Sequence, residues 1–155
     1  MPRAGLVIVC GLGLHWILCR FVASSWWVPD LTLLAVLFVI IASPSRWWFA
    51  AGGAGLLTMA WTVQFPAAVL LWYAAVGLTV SVVARVWDLA DLRVQLVLVG
   101  MAETCWIALH LWLQEASVFP VLALIAVHVG LTVAMVPVAR RLFLPITNHH
   151  SPVTP

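Results

Sequence analysis

No residue between Arg46 and Arg85 carries a formal charge, and shorter neutral runs recur along the rest of the chain. About 20 mostly apolar residues are enough to cross a hydrocarbon core of roughly 30 Å, so runs of this kind read as membrane crossings. The whole composition agrees. Of 155 residues, 65% are hydrophobic and 8% are charged, whereas a soluble domain carries roughly 25% charged residues. Five acids and seven arginines, with no lysine, cannot clothe the surface of a water-soluble sphere that must also hide ten tryptophans. Disorder needs low hydrophobicity and high charge, and a net charge of +2 without basic clusters gives little attraction for nucleic acid. The chain reads as an all-α integral membrane protein.

Reading between the charges predicts six transmembrane helices, at about 5–23, 28–42, 47–63, 66–84, 94–113 and 118–139. The second is short, since its fully apolar part runs only from Leu31 to Ala42. It crosses fully only if Trp26 to Asp30 sit within the interface, and the alternative is five spans with a re-entrant piece. The arginines separate these options. With six spans, Arg3, Arg46, Arg85, Arg93, Arg140 and Arg141 fall on one side and Arg20 alone on the other. That is the asymmetry of the positive-inside rule, and it puts both termini in the cytoplasm. Five spans would scatter the arginines over both faces. Arg3 and the small Ala23-Ser24-Ser25 also fit a signal peptide, but His15 and Arg20 interrupt the run between them, and further spans follow. A retained first helix is expected. The turns at Ser43–Arg46, Gln64–Phe65 and Gln114–Ser117 should be tight, the Arg85–Arg93 loop should lie at the cytoplasmic surface, and 142–155 should form a flexible cytoplasmic tail. The single domain is thus 1–141.

Trp26, Trp27, Trp47, Trp48, Trp87 and Trp112 cluster where spans should end, as interfacial belts do. Trp16, Trp61, Trp72 and Trp106 lie deeper and are expected to pack against other helices. In the third span Ala51, Gly52 and Gly55 belong to a small-residue stretch, with Ala51 and Gly55 in small-xxx-small spacing. Such a face admits a close backbone, either from within the bundle or from a partner helix. Cys10, Cys19 and Cys105 form no metal or redox motif and read as small apolar residues. No phosphate loop, metalloprotease motif or nucleophile elbow is present, so no catalytic residue, metal or cofactor is expected.

Five polar residues stand out. Glu103 sits near the centre of the fifth span, where an ionisable group is by default a functional candidate. His128 in the sixth span and His15 in the first lie at similar depth, and His110 shares the Glu103 face with Trp106 between them. Two readings stay open: a proton relay or ion site, or a hydrogen-bonded clip between helices. Asp30, after Pro29, can cap the second helix by accepting from backbone N–H groups in its first turn.

In chain order these features resemble MreD, the small inner-membrane protein of the bacterial rod-shape system, over about Val28 to Leu142. Pro29-Asp30-Leu31 is similar to the family's opening of its second span. Ser43-Pro44-Ser45-Arg46 resembles its short Pro-x-Arg turn, and Gly52-Gly53-Ala54-Gly55-Leu56-Leu57 its Gly-rich third span. Phe65-Pro66 before a helix ending at Arg85, and the closing Val136-Pro137-Val138-Ala139-Arg140-Arg141, continue the pattern. Met59 departs from it, standing where the family often has an acid. The resemblance implies a six-helix bundle like the substrate-binding components of energy-coupling factor transporters, and no enzymatic activity. It implies a scaffold of the elongasome that binds the membrane helix of an MreC-like coiled-coil protein. MreB, RodA and a class B penicillin-binding protein are its wider partners, in lateral peptidoglycan synthesis and cell-shape maintenance. Two rivals remain: a vitamin-type substrate-binding component and an ion- or proton-coupled protein using Glu103. The Ala-x-x-x-Ala-like surface with which such transporter components dock is missing here, because Ala4 is followed four residues on by Ile8.

Overall fold

The computed structural model describes residues 2–22, 27–61, 65–115, 117 and 119–147. Expectations placed on Trp26, on the small Ala23-Ser24-Ser25, on the span ends at Ala23, Val63 and Val118, and on the tail beyond Thr147 fall outside them. The described chain is all-helical: α1 (Pro2–Phe21), α2 (Leu31–Ala42), α3 (Trp47–Trp61), α4 (Pro66–Val83), α5 (Leu92–Leu113), α6 (Leu122–Ala134) and α7 (Val136–Thr147). Four stretches are long and apolar enough to cross a membrane: Ala4–Phe21, Pro66–Val83, Leu92–Leu113 and Phe119–Phe143. The last joins α6 to α7. A fifth is counted if α2 and α3, which turn by 120° at their junction, are taken as one span.

The most apolar helix lies at the centre. Every residue of α2 from Leu31 to Ile40 is buried, as expected of a helix that is hydrophobic all round. α1 packs on it through Gly11, where a Cβ would stand 2.6 Å from Ala35 Cβ and 3.0 Å from the Leu31 carbonyl oxygen. α7 covers another side, with Val136 and Ala139 buried and Phe143 tilted against Phe38 at 6.3 Å. Because lipid is as apolar as the core, the outer faces stay hydrophobic too: Leu6, Leu71, Met101 and Trp112 are all exposed.

The head of α2 sits inside the bundle rather than at its rim. Asp30 caps the helix, its Oδ1 accepting from Leu33 N at 2.8 Å, while its own N–H donates to Thr132 Oγ1 of α6 at 3.0 Å. His15, a turn and a half before the end of α1, donates from Nδ1 to the Pro29 carbonyl at 3.0 Å. The residues just before α2 are thus tied to positions within α1 and α6. Non-helical backbone at such depth is tolerated only where protein surrounds it or it lines a cavity, and Val28 is buried.

Three further features depart from the sequence reading. Pro137 lacks the N–H that would bond the Val133 carbonyl and crowds it, so the last apolar stretch breaks at Met135 instead of running as one helix. Its continuation reaches Thr147, past the expected boundary at Arg141. Trp16 faces outward, 45% exposed, with the Arg20 guanidinium 4.8 Å over its ring, and Trp47, at the start of α3, packs into the α3–α4 seam. The Arg85–Arg93 loop is a pair of Asx-type caps, with Asp88 Oδ1 accepting from Ala90 N and Asp91 Oδ1 from Arg93 N, each at 2.8 Å.

Pro44, Ala84, Asp88, Gln95 and Arg140 line one cleft of about 510 Å³ at one end of the bundle. At the other end Phe65, which opens α4, meets His110 near the end of α5 edge-on at 6.4 Å. Two non-glycine residues with left-handed backbone, Phe65 (φ 49°) and Glu115 (φ 53°), make the turns there.

Candidate functional site

The polar residues singled out in the sequence converge. His15, Asp30, Glu103, Trp106, His110 and His128 all line one cavity of about 320 Å³, closed by Ile107 and Leu111 and opening past the exposed Gln114. α5 supplies most of one wall because residues 103, 106, 107, 110 and 114 recur at helical spacing on a single face. α1 brings His15, α6 brings His128, and the head of α2 brings Asp30.

Glu103 is wholly buried. Its Oε1 is paired with His128 Nε2 at 2.6 Å, while Oε2 meets no hydrogen-bond donor among the described residues. A buried polar group in that condition is costly and calls for an explanation. The histidines have fixed roles. A carbonyl only accepts, so His15 Nδ1 is its donor and Nε2 is left as an acceptor, facing the Cys19 thiol at 3.7 Å. Gln114 Nε2 lies 2.9 Å from His110 Nε2, which accepts from the amide. Trp106 stacks between His110 at 5.7 Å and Trp72 at 5.6 Å, giving the cavity an aromatic wall. Among the described residues no arginine lines it, and no three His, Cys, Asp or Glu side chains are placed to hold a metal ion.

A second cavity of about 190 Å³ adjoins the first, sharing His15, Asp30 and Trp106 and reaching inward to Thr32 and Tyr73. Thr32 Oγ1 is buried there without a hydrogen-bond partner. The sequence reading placed Glu103, His128 and His15 at one depth but found no second acid beside them. Asp30 is that acid. Its capping role concealed it, since a cap on a helix that begins at mid-depth is also a cavity wall.

The small-residue stretch of α3 divides. A Cβ on Gly55 would stand 2.8 Å from Leu70 Cδ1, and one on Gly77 of α4 would stand 2.9 Å from Ala51 Cβ. Ala51 and Gly55 thus bring α3 and α4 together. Gly52 and Gly53 meet nothing within 4 Å.

A lateral groove of about 210 Å³ lies between α4 and α5, which touch only sparingly. Small or short side chains (Ala75, Thr79, Ala102 and Cys105) line it, with Met101 at the rim and Leu37 of α2 behind. No protein-family model, curated protein or solved structure matches the chain.

Proposed function

We propose that the chain is a non-enzymatic scaffold of the bacterial elongasome, an MreD-like protein of the inner membrane that docks the single transmembrane helix of an MreC-like partner. Six crossings with both termini in the cytoplasm complete the reading. Through that partner the bundle joins MreB, RodA and a class B penicillin-binding protein in lateral wall synthesis. The residues that carry the resemblance support it by sitting at structural joints: Asp30 caps α2, Pro44–Arg46 turns the chain, Gly55 admits α4, and Pro137 breaks the last span.

The observation that carries the docking is the α4–α5 groove. Helix association in lipid depends on close packing rather than on a hydrophobic effect. A furrow floored by Ala75 and Ala102 lets a guest backbone approach where Ala51 and Gly55 are already covered by α4. Replacing the exposed Ala75 by Trp fills the groove from the lipid side. Co-purification with a one-span coiled-coil partner should then fall at least tenfold while the melting temperature of the bundle holds. Gly52→Leu, on the open strip of α3, should leave partner recovery unchanged. Full recovery with Ala75→Trp would overturn the assignment.

A further inference from the structure

We propose that the cavity around Glu103 binds a small primary ammonium ligand, whose N–H groups donate to the Glu103 carboxyl while its apolar body lies against Trp106, Ile107 and Leu111. The polar atoms with settled roles in this cavity are acceptors. Glu103 Oε1 is paired with His128 Nε2 at 2.6 Å, but Oε2 is buried without a hydrogen-bond donor among the described residues, His110 Nε2 accepts from Gln114, and His15 uses its N–H on Pro29. Two acids and three histidines line the space and, among the described residues, no arginine does, so a guest with donors and positive charge is favoured over an anion. The head of α2 does not reverse this preference, because Asp30 caps its first-turn amide at Leu33 and offsets the positive end of the helix.

The aromatic wall suits the same guest. Trp106 is held between Trp72 on one side and His110 on the other, a fixed aromatic surface for the apolar body of the guest. At about 320 Å³ the cavity is at the lower end of the size of small-molecule sites, roughly 300–1,000 Å³. An alkylamine of a few carbons fits this size, and so does the ethanolamine headgroup of a phospholipid. The opening past Gln114, at the end of α5, lets either source reach Glu103.

The test is calorimetric titration of the full chain in nanodiscs of phosphatidylcholine and phosphatidylglycerol, which carry no primary amine. n-Butylammonium should bind saturably at one site, and n-butanol and tetramethylammonium at least tenfold more weakly, the first for want of charge and the second for want of N–H donors. Glu103→Gln should lower n-butylammonium affinity at least tenfold, whereas Ser81→Ala, away from the cavity, should leave it unchanged. Adding phosphatidylethanolamine to the nanodiscs identifies the source. Competition with n-butylammonium assigns the site to a lipid headgroup, and no competition assigns it to a free amine. Equal binding of n-butanol or tetramethylammonium by the wild-type chain overturns the proposal even if Glu103→Gln does not fold, and so does unchanged affinity in a folded Glu103→Gln protein.

Discussion

Replacing Asp30 tests whether the centre of the bundle depends on one side-chain oxygen. In Asp30→Ala the Leu33 amide loses its partner at 2.8 Å. Leu33 is 1% exposed, so water cannot easily take the vacated place. Loss of an N-cap costs about 0.5–2 kcal/mol, and burial pushes this site toward the upper figure. Loss of the negative charge at the positive end of α2 adds about 0.3–1 kcal/mol. The sum is about 2 kcal/mol, roughly a thirtyfold change in the folded-to-unfolded ratio. Asp30→Asn keeps an acceptor oxygen and loses only the charge, so it should cost about 0.5 kcal/mol. Reversible unfolding of the purified chain in mixed micelles of dodecyl maltoside and increasing dodecyl sulfate measures both. The expected order of stability is wild type, then Asn, then Ala. An Ala variant within about 0.5 kcal/mol of wild type would show that the cap is dispensable. An Asn variant as unstable as Ala would show that charge rather than the hydrogen bond holds the helix head.

Two further predictions follow from the fold. Gly11→Leu must force α1 away from Ala35 and the Leu31 carbonyl, a loss of about 1–3 kcal/mol typical of overpacking. Gly13→Ala meets nothing within 4 Å and should be neutral or gain up to about 1 kcal/mol of helix propensity, and the same micelle titration reads both. For the topology, cysteines placed at Ser45 or Ala90 in a chain freed of its native cysteines should react with a membrane-impermeant maleimide only after permeabilisation, and one at Ser117 before it. Labelling of all three from the same side would refute the six-crossing arrangement.

The outer parts of this fold are legible in sequence because lipid imposes one rule on every exposed helix. α1, α4 and α5 must be long, apolar and bounded by charge or turn residues, and their limits fall close to those read from the charges. α2 is different. Shielded by α1, α3 and α7, it has no bilayer thickness to match, and hydropathy cannot tell a short shielded helix from an incomplete span. Trp16 went astray for a related reason: in lipid an apolar ring is equally at home on either face, so only its contact with Arg20 fixes its direction. Periodicity was enough to place Glu103, Trp106 and His110 on one face of α5. It could not reveal the position of Asp30 beside them, which depends on the pairing of its amide with Thr132, far away in sequence.

The short second helix and the polar cavity are one feature. A full-length helix in the place of α2 would run on past Asp30 between α1, α5 and α6 and fill the space that His15, Glu103 and His128 now line. Because α2 starts at mid-depth, that space stays open, and each neighbour presents a polar group to it at the level of the missing turns. Bare apolar walls would have closed on one another, since a dry void forfeits dispersion contacts on every side. A buried carboxyl with one oxygen unpartnered resists such collapse, because closing leucines around it would cost more than the contacts return. Filling the cavity with bulk at Ile107 should therefore leave the outer faces, and partner docking in the α4–α5 groove, untouched while removing any guest from Glu103. The groove and the cavity lie on different faces of α5, with Ala102 and Cys105 lining the one and Glu103 and Ile107 the other.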